Sequence, residues 1–252
     1  MKQIKQVQGN TAQHAVKSAR PQFPQFRLNL VALSVYVAFI GNNTGYAQDI
    51  LPTAPQVVSG AASVTQSGTA QTINQTTDKA IINWGSFSVG SGSSVNFIQP
   101  GSGSVILNRV TGGDPSSILG SMSANGHVFL VNPNGIFFGL GSTVDTAGLV
   151  ATTMSISDSD FLGGHYSFER NSAASIENAG VITIRDGGYA LLAADKVSNG
   201  ATGQINATNG NIGLVSADRV TIETQSDGLV GFSVEGNALR QIATVENAGV
   251  LT

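Results

Sequence analysis

Residues 187–197 read GGYALLAADKV, and residues 210–220 read GNIGLVSADRV. The offset of 23 maps Leu191 onto Leu214, Leu192 onto Val215, Asp195 onto Asp218, Lys196 onto Arg219 and Val197 onto Val220. It also carries Gly180, Val181 and Ile182 onto Gly203, Gln204 and Ile205. ENAGV at Glu177 returns at Glu246, a separation that reads as three such periods. Self-similarity at this spacing marks a solenoid, in which each unit buries its apolar side only by stacking on the next. Apolar and polar positions alternate within the unit and no helical pattern intervenes, so the units are strands. The expected fold is all-β, a parallel β-helix of about 23 residues per coil, starting near residue 60. At about 4.8 Å per coil, about eight coils from residue 70 would make a rod of about 40 Å. The first coil needs an N-terminal β cap, and residues 49 to 100 are available to build it.

The composition agrees. Charged residues are 11% of the 252 and glycines number 31, too little Glu, Lys and Arg and too much Gly for helical bundles. Lys2, Lys5, Lys17, Arg20 and Arg27 precede Gln48 with no acidic residue among them. After Gln48 come seven Lys and Arg and all 15 Asp and Glu, a net charge of 7 − 15 = −8. That sign argues against nucleic acid as a partner, because such binders neutralise phosphates.

The run LNLVALSVYVAFI, Leu28 to Ile40, is too short to span a bilayer as a helix. It fits the apolar segment of a secretory signal, with a long basic segment, Met1 to Arg27, before it. Small residues Gly45 and Ala47 place cleavage between Ala47 and Gln48. The expected layout is a signal peptide at 1–47, the mature N-terminus and start of the cap at 48–69, and the β-helix at 70–252. The rival reading of the run is a buried helix. There is no cysteine. Either a repetitive core needs no staple, or the chain must pass unfolded through a pore that a disulfide loop would block. The last residues, ENAGVLT, open a new repeat, and the expectation is the front of a longer protein.

His127 to Gly139 reads HVFLVNPNGIFFG. Two apolar runs flank Asn-Pro-Asn-Gly. Pro133 presets φ for a β-turn, Asn134 and Gly135 tolerate unusual backbone angles, and Asn132 can bond the backbone two residues on. By itself this is an ordinary corner between strands. With its surroundings, from Asn83-Trp84-Gly85 through Gly139, it resembles the secretion domain of two-partner-secreted exoproteins, the filamentous haemagglutinin family. The segment VDTAGLVATTMSISDSDFLGGHYSF resembles that domain's continuation. The resemblance covers about residues 70 to 252, and the long leader also fits.

The family's most specific motif falls on Asn132, Pro133, Asn134, Gly135 and Ile136. A second Asn-Pro-Asn block of some members is missing. Gln99, Pro100, Leu107, Asn108 and Arg109 stand in that region, so the likeness is to the branch with one block. The resemblance implies a capped right-handed β-helix, export by the Sec machinery, and an outer-membrane transporter whose periplasmic POTRA-type domains recognise this region. It also implies a final location outside, or on the surface of, a Gram-negative cell, β-helix folding nucleated there, and receptor binding mostly in regions downstream. It implies no cofactor.

The rival classes are a β-helical polysaccharide-active enzyme, an autotransporter-type passenger and a lectin-like tip. A catalytic or metal site needs clustered carboxylates. Asp195 and Asp218 are the candidates, stacked one coil apart by the period with Lys196 and Arg219 beside them. Ser172 and Gln241 at the flanking positions supply no third acid, so turn residues bonding local backbone are the expectation. His14 lies in the leader, and His127 and His165 lack partners at ligand spacing. GGDPSS at Gly112 to Ser117 is a turn, not a phosphate loop, since no Lys follows. Trp84, Tyr166 and Tyr189 are scattered, whereas a lectin tip calls for an exposed aromatic cluster.

Overall fold

The computed structural model describes residues 50–224, 230–236 and 244–252. The leader, its Ala47-Gln48 junction and Gln241 lie outside the described residues.

Three columns of parallel strands form the faces of the solenoid. The first face stacks Ala70–Gln75, Ser94–Ile98, Ser121–Ala124, residues 143–146, residues 181–184, Gln204–Ala207 and Val250–Leu251. The second stacks Lys79–Trp84, Val105–Val110, His127–Val131, residues 148–152, residues 189–193 and Asn211–Val215. The third begins with Val89 bridged to Ile118, then stacks Ser116–Ile118, Ile136–Phe138, Ser175–Asn178, Lys196–Asn199 and Thr244–Asn247. Strands from the three faces surround one core that includes Ile82, Trp84, Phe97, Val128, Leu130, Phe138, Leu192 and Ile205.

Two antiparallel strands close the N-terminal end. Gln56–Ser59 pairs with Lys79–Trp84, and Ala62–Ser67 pairs with Ala70–Gln75. Antiparallel pairing needs only a tight turn, so the cap forms from chain next to the edges it covers. Gly68, at φ +56°, lies in the tight turn between Ala62–Ser67 and Ala70–Gln75, and Gly60, at φ +72°, separates the two cap strands where a Cβ would run into Lys79 O.

Six turns are complete and Val250–Leu251 opens a seventh, not the eight expected. The rod is correspondingly about 30 Å at the ordinary strand spacing. The chain saved from coils goes into two excursions. On the first face, Ser121 pairs with Thr143 and Val181 with Gln204, offsets of 22 and 23. Pairing of Thr143 with Val181 gives 38, and that of Gln204 with Val250 gives 46. The two ENAGV copies are therefore two turns apart rather than three, since Glu177 pairs with Ser198 and Ser198 with Glu246.

The excursions leave the corner between the second and third faces and fold back over the second. The first carries a short helix, α1 (Asp158–Gly163), and the strand Ser167–Glu169. Ser157 caps the α1 N-terminus by accepting from Asp160 N–H, and Gly164 ends the helix at φ +80°. The second is the hairpin Arg219–Thr224 and Val230–Glu235, with Arg219–Thr224 central in an antiparallel sheet with Ser167–Glu169. Between this lobe and the outside of the second face lies a second core that includes Leu107, Phe129, Phe161, Phe168, Leu191, Val220 and Ile222. Phe129 packs against Phe161, Tyr166 and Phe168 with ring centroids 5.0–5.8 Å apart.

The lobe explains a sequence contrast. SVNFI and TVDT, on the first face, alternate because their outer side meets water. VILNRV and HVFLV, on the second face, do not alternate and are buried nearly throughout because both sides are covered. Two cations pin the first excursion. Lys79 Nζ donates to Phe161 O at 3.2 Å and Leu162 O at 2.9 Å, at the negative end of α1. Arg109 donates to Ile156 O at 2.9 Å and pairs with Asp158 at 2.7 Å.

Candidate functional site

The turn 132–135 connects the second face to the third in the third coil. Gly135 N–H donates to Asn132 O at 3.2 Å, which closes the turn. Asn132 is fully buried. Its Oδ1 accepts from Asn134 N–H at 2.9 Å and from Asn134 Nδ2 at 3.1 Å. Its Nδ2 donates to Asp114 O at 3.0 Å and Ser116 Oγ at 2.9 Å, both on the corner one coil below. Ser116 N–H donates back to Gly135 O at 2.9 Å. Gly135 alone uses the glycine region, at φ +119°; Asn134 does not have positive φ. Ile136 enters the main core, while Asn134 is exposed and Pro133 half-buried. One amide thus satisfies its own turn and ties it to the corner below.

Gln99 holds an equivalent post between the first and second faces. Its Nε2 donates to Gln75 Oε1 at 3.1 Å and Ser104 O at 3.2 Å, and its Oε1 accepts from Gly126 N–H at 3.0 Å. Pro100 is exposed beside it. Leu107 lies in the second core. Asn108, fully buried, accepts from Trp84 Nε1 at 3.0 Å. Arg109 holds α1 as described. These residues are therefore posts of separate corners and cores, and do not converge on one surface with Asn132.

An asparagine ladder on the third face escaped the sequence reading. Asn178 Nδ2 donates to Asn199 Oδ1 at 2.8 Å, and Asn199 Nδ2 donates to Asn247 Oδ1 at 2.8 Å. Its signal was present: the Asn-Ala-Gly of both ENAGV copies and Ser198-Asn199-Gly200 between them.

The stacking expected for Asp195 and Asp218 does not occur. Lys196–Asn199 pairs with Thr244–Asn247, whereas Arg219–Thr224 belongs to the lobe. On the second face Leu191 pairs with Gly213 and Leu192 with Leu214, an offset of 22 rather than 23. The corner between Ala207 and Asn211 is one residue shorter than that between Ile184 and Tyr189. The two aspartates meet instead on Arg170, at 3.4 Å and 3.2 Å. Arg219 is held by Glu169 at 2.6 Å and Glu235 at 3.1 Å. The hydrogen bond to Glu169 and its charge raise the guanidinium pKa further.

Trp84 is fully buried and Tyr189 nearly so, and burial raises the phenol pKa of Tyr189 strongly. Tyr166 belongs to the cluster around Phe129. The aromatics hold cores together rather than forming a lectin tip. The His127 ring stacks on Tyr189 at 5.2 Å, its Nδ1 is buried without a partner, and burial lowers its pKa. His165 is exposed. No cluster of three metal-ligating side chains occurs among the described residues.

A capped β-helix with an external lobe and an Asn-Pro-Asn-Gly corner defines a secretion module of an exported protein. The family model of the TPS (two-partner) secretion domain matches residues 48–251, and the chain belongs to that family. A chain of this family is an exported Gram-negative exoprotein with a cognate outer-membrane transporter. The chain is 36% identical over 234 residues to the heme/hemopexin-binding protein of Haemophilus influenzae (strain ATCC 51907 / DSM 11121 / KW20 / Rd), covering 90% of this chain and 25% of that protein. A second Haemophilus influenzae heme/hemopexin-binding protein is 34% identical over 58% of this chain and 16% of its own length. The chain thus spans a quarter or less of the curated relatives it matches. The crystal structure of the HMW1 secretion domain from Haemophilus influenzae superposes with a TM-score of 0.72 at 31% identity, covering 79% of this chain and 53% of that one.

Proposed function

We propose that the corner formed by Asn132, Pro133, Asn134, Gly135 and Ile136 is the surface by which the cognate transporter recognises this chain, through periplasmic POTRA-type domains. The leader at 1–47 delivers the chain to the Sec machinery and is removed after Ala47. Recognition then commits it to the pore, and the capped coils nucleate β-helix folding at the cell surface. The observation that carries this reading is the buried amide of Asn132, which holds an exposed Asn134 in one shape. Preorganised exposed groups are what a partner can read at low entropic cost.

The module acts without catalysis. Asp195 and Asp218, the best acids for an enzyme, are both engaged in ion pairs with Arg170, which supports this. The secretion-domain family supports the reading that the whole exoprotein is adhesin-like, and the names of the relatives make heme or hemopexin its candidate ligand.

Asn132→Ala leaves Asn134 N–H and Asp114 O without their partner, a cost of about 1–3 kcal/mol at this corner. With the transporter co-expressed, the mature chain should accumulate in the periplasm and fall in the medium, with leader cleavage unchanged. Secretion of both Asn132→Ala and Asn134→Ala at the wild-type level would remove the recognition role.

A further inference from the structure

Asn134 is exposed, yet its amide does not point freely into solvent. Nδ2 donates to Gly112 O at 2.8 Å, one coil below, as well as to Asn132 Oδ1. Gly112 does not owe its identity to its dihedral angles, since its φ is not positive. Space selects it: a Cβ there would meet Gly85 O at 2.0 Å. Backbone therefore lies directly on backbone between the first and second coils at this corner. The carbonyl that receives Asn134 is fixed by that contact. Gly85 is fixed in turn by the cap, since Gly85 N–H donates to Thr53 O at 3.0 Å and Thr53 N–H to Ser86 O at 3.0 Å. Thr53 Oγ1 and Ser86 Oγ are also 2.8 Å apart. A continuous column runs from the cap at Thr53, through Gly85 and Gly112, to the exposed amide at Asn134.

We propose that Gly112 is a positioning residue of the recognition corner: it lets the second coil sit close enough to the capped first coil to hold Asn134 in its recognised orientation. This rests on the recognition role proposed for Asn132 to Ile136. It extends the site beyond the Asn-Pro-Asn-Gly turn to a glycine of the preceding coil, upstream of Pro115. It also makes the corner a reporter of the cap, because the amide is oriented only when the first coils are stacked beneath it.

The test is secretion of the full chain with its transporter co-expressed, for Gly112→Ala, Asn134→Ala and the double variant. Gly112→Ala and Asn134→Ala should each lower the secreted fraction by roughly fivefold, the size of one neutral hydrogen bond. The double variant should secrete no less than the worse single one, because both changes remove the same orientation. A purely packing role for Gly112 would instead multiply the two losses, and that result would overturn the proposal. Asn134→Asp supplies a variant that leaves the coils untouched: it keeps the size of the side chain and loses the donor to Gly112 O. It should secrete like Asn134→Ala, and wild-type secretion by Asn134→Asp would refute the column even if Gly112→Ala failed to fold. Wild-type secretion by Asn134→Ala alone would likewise overturn the column, whereas wild-type secretion by both Asn132→Ala and Asn134→Ala would remove the recognition reading itself.

Discussion

Replacing Asn199 by Ala tests whether the asparagine ladder holds the third face together. The side chain is fully buried. It accepts from Asn178 Nδ2 at 2.8 Å, donates to Asn247 Oδ1 at 2.8 Å and makes a longer contact to Gly203 O at 3.4 Å. Ala deletes both short bonds. Asn178 Nδ2 is then left with Gln204 O at 3.5 Å, which is at the limit of a hydrogen bond. Two net bonds at about 1 kcal/mol each, plus part of the cost of a buried unpaired amide, give about 2–3 kcal/mol. For a unit of about 200 residues this lowers Tm by about 5–10 °C. Asn247→Ala removes one bond, at an exposed acceptor, and leaves Asn199 Nδ2 with Gly203 O at 3.4 Å, so its cost should be about 1 kcal/mol, less than that of Asn199→Ala. The assay is thermal unfolding of both variants by circular dichroism, with a urea series to show that m is unchanged. Equal losses for the two, or none for Asn199→Ala, would show that the ladder follows the stacking of the coils and does not stabilise it.

Two further outcomes follow from the lobe. Burial lowers the His127 pKa, so the folded state prefers the neutral ring. The stability this contributes is fully present above the ordinary histidine value of about 6.5 and is lost as pH falls toward the lower folded value. His127→Phe, which keeps the ring on Tyr189, should lose less Tm than the wild type between pH 7 and pH 5; identical pH profiles would contradict this. Lys79→Met removes the donor to Phe161 O and Leu162 O and the cation 5.5 Å from the Tyr166 ring. It should cost about 1–2 kcal/mol and raise hydrogen exchange in 158–166 ahead of the coils, whereas uniform exchange across the chain would mean that Lys79 does not pin the lobe.

The repeat and the alternation determined the parallel β-helix, because a strand unit with one apolar side can bury it only on its neighbours. The Asn-Pro-Asn-Gly stretch was legible as a turn with an internal Asn132 bond, because that contact is local and spans two residues. The contacts to Asp114 O, Ser116 Oγ and Gly112 O depend on which corner lies one coil below. That follows from coil length, which a corner one residue shorter already shifts, as Leu191 and Gly213 show. The periodic likeness of Asp195 to Asp218 misled for the same reason. Similar residues entered different structures once the second excursion left the solenoid, and a third strand, Ser167–Glu169, took the pairing. Only the tertiary structure decided this, because an antiparallel strand finds its partner by what the lobe can bury: here the outer side of Phe129 and Leu191, which leaves both sides of that face covered.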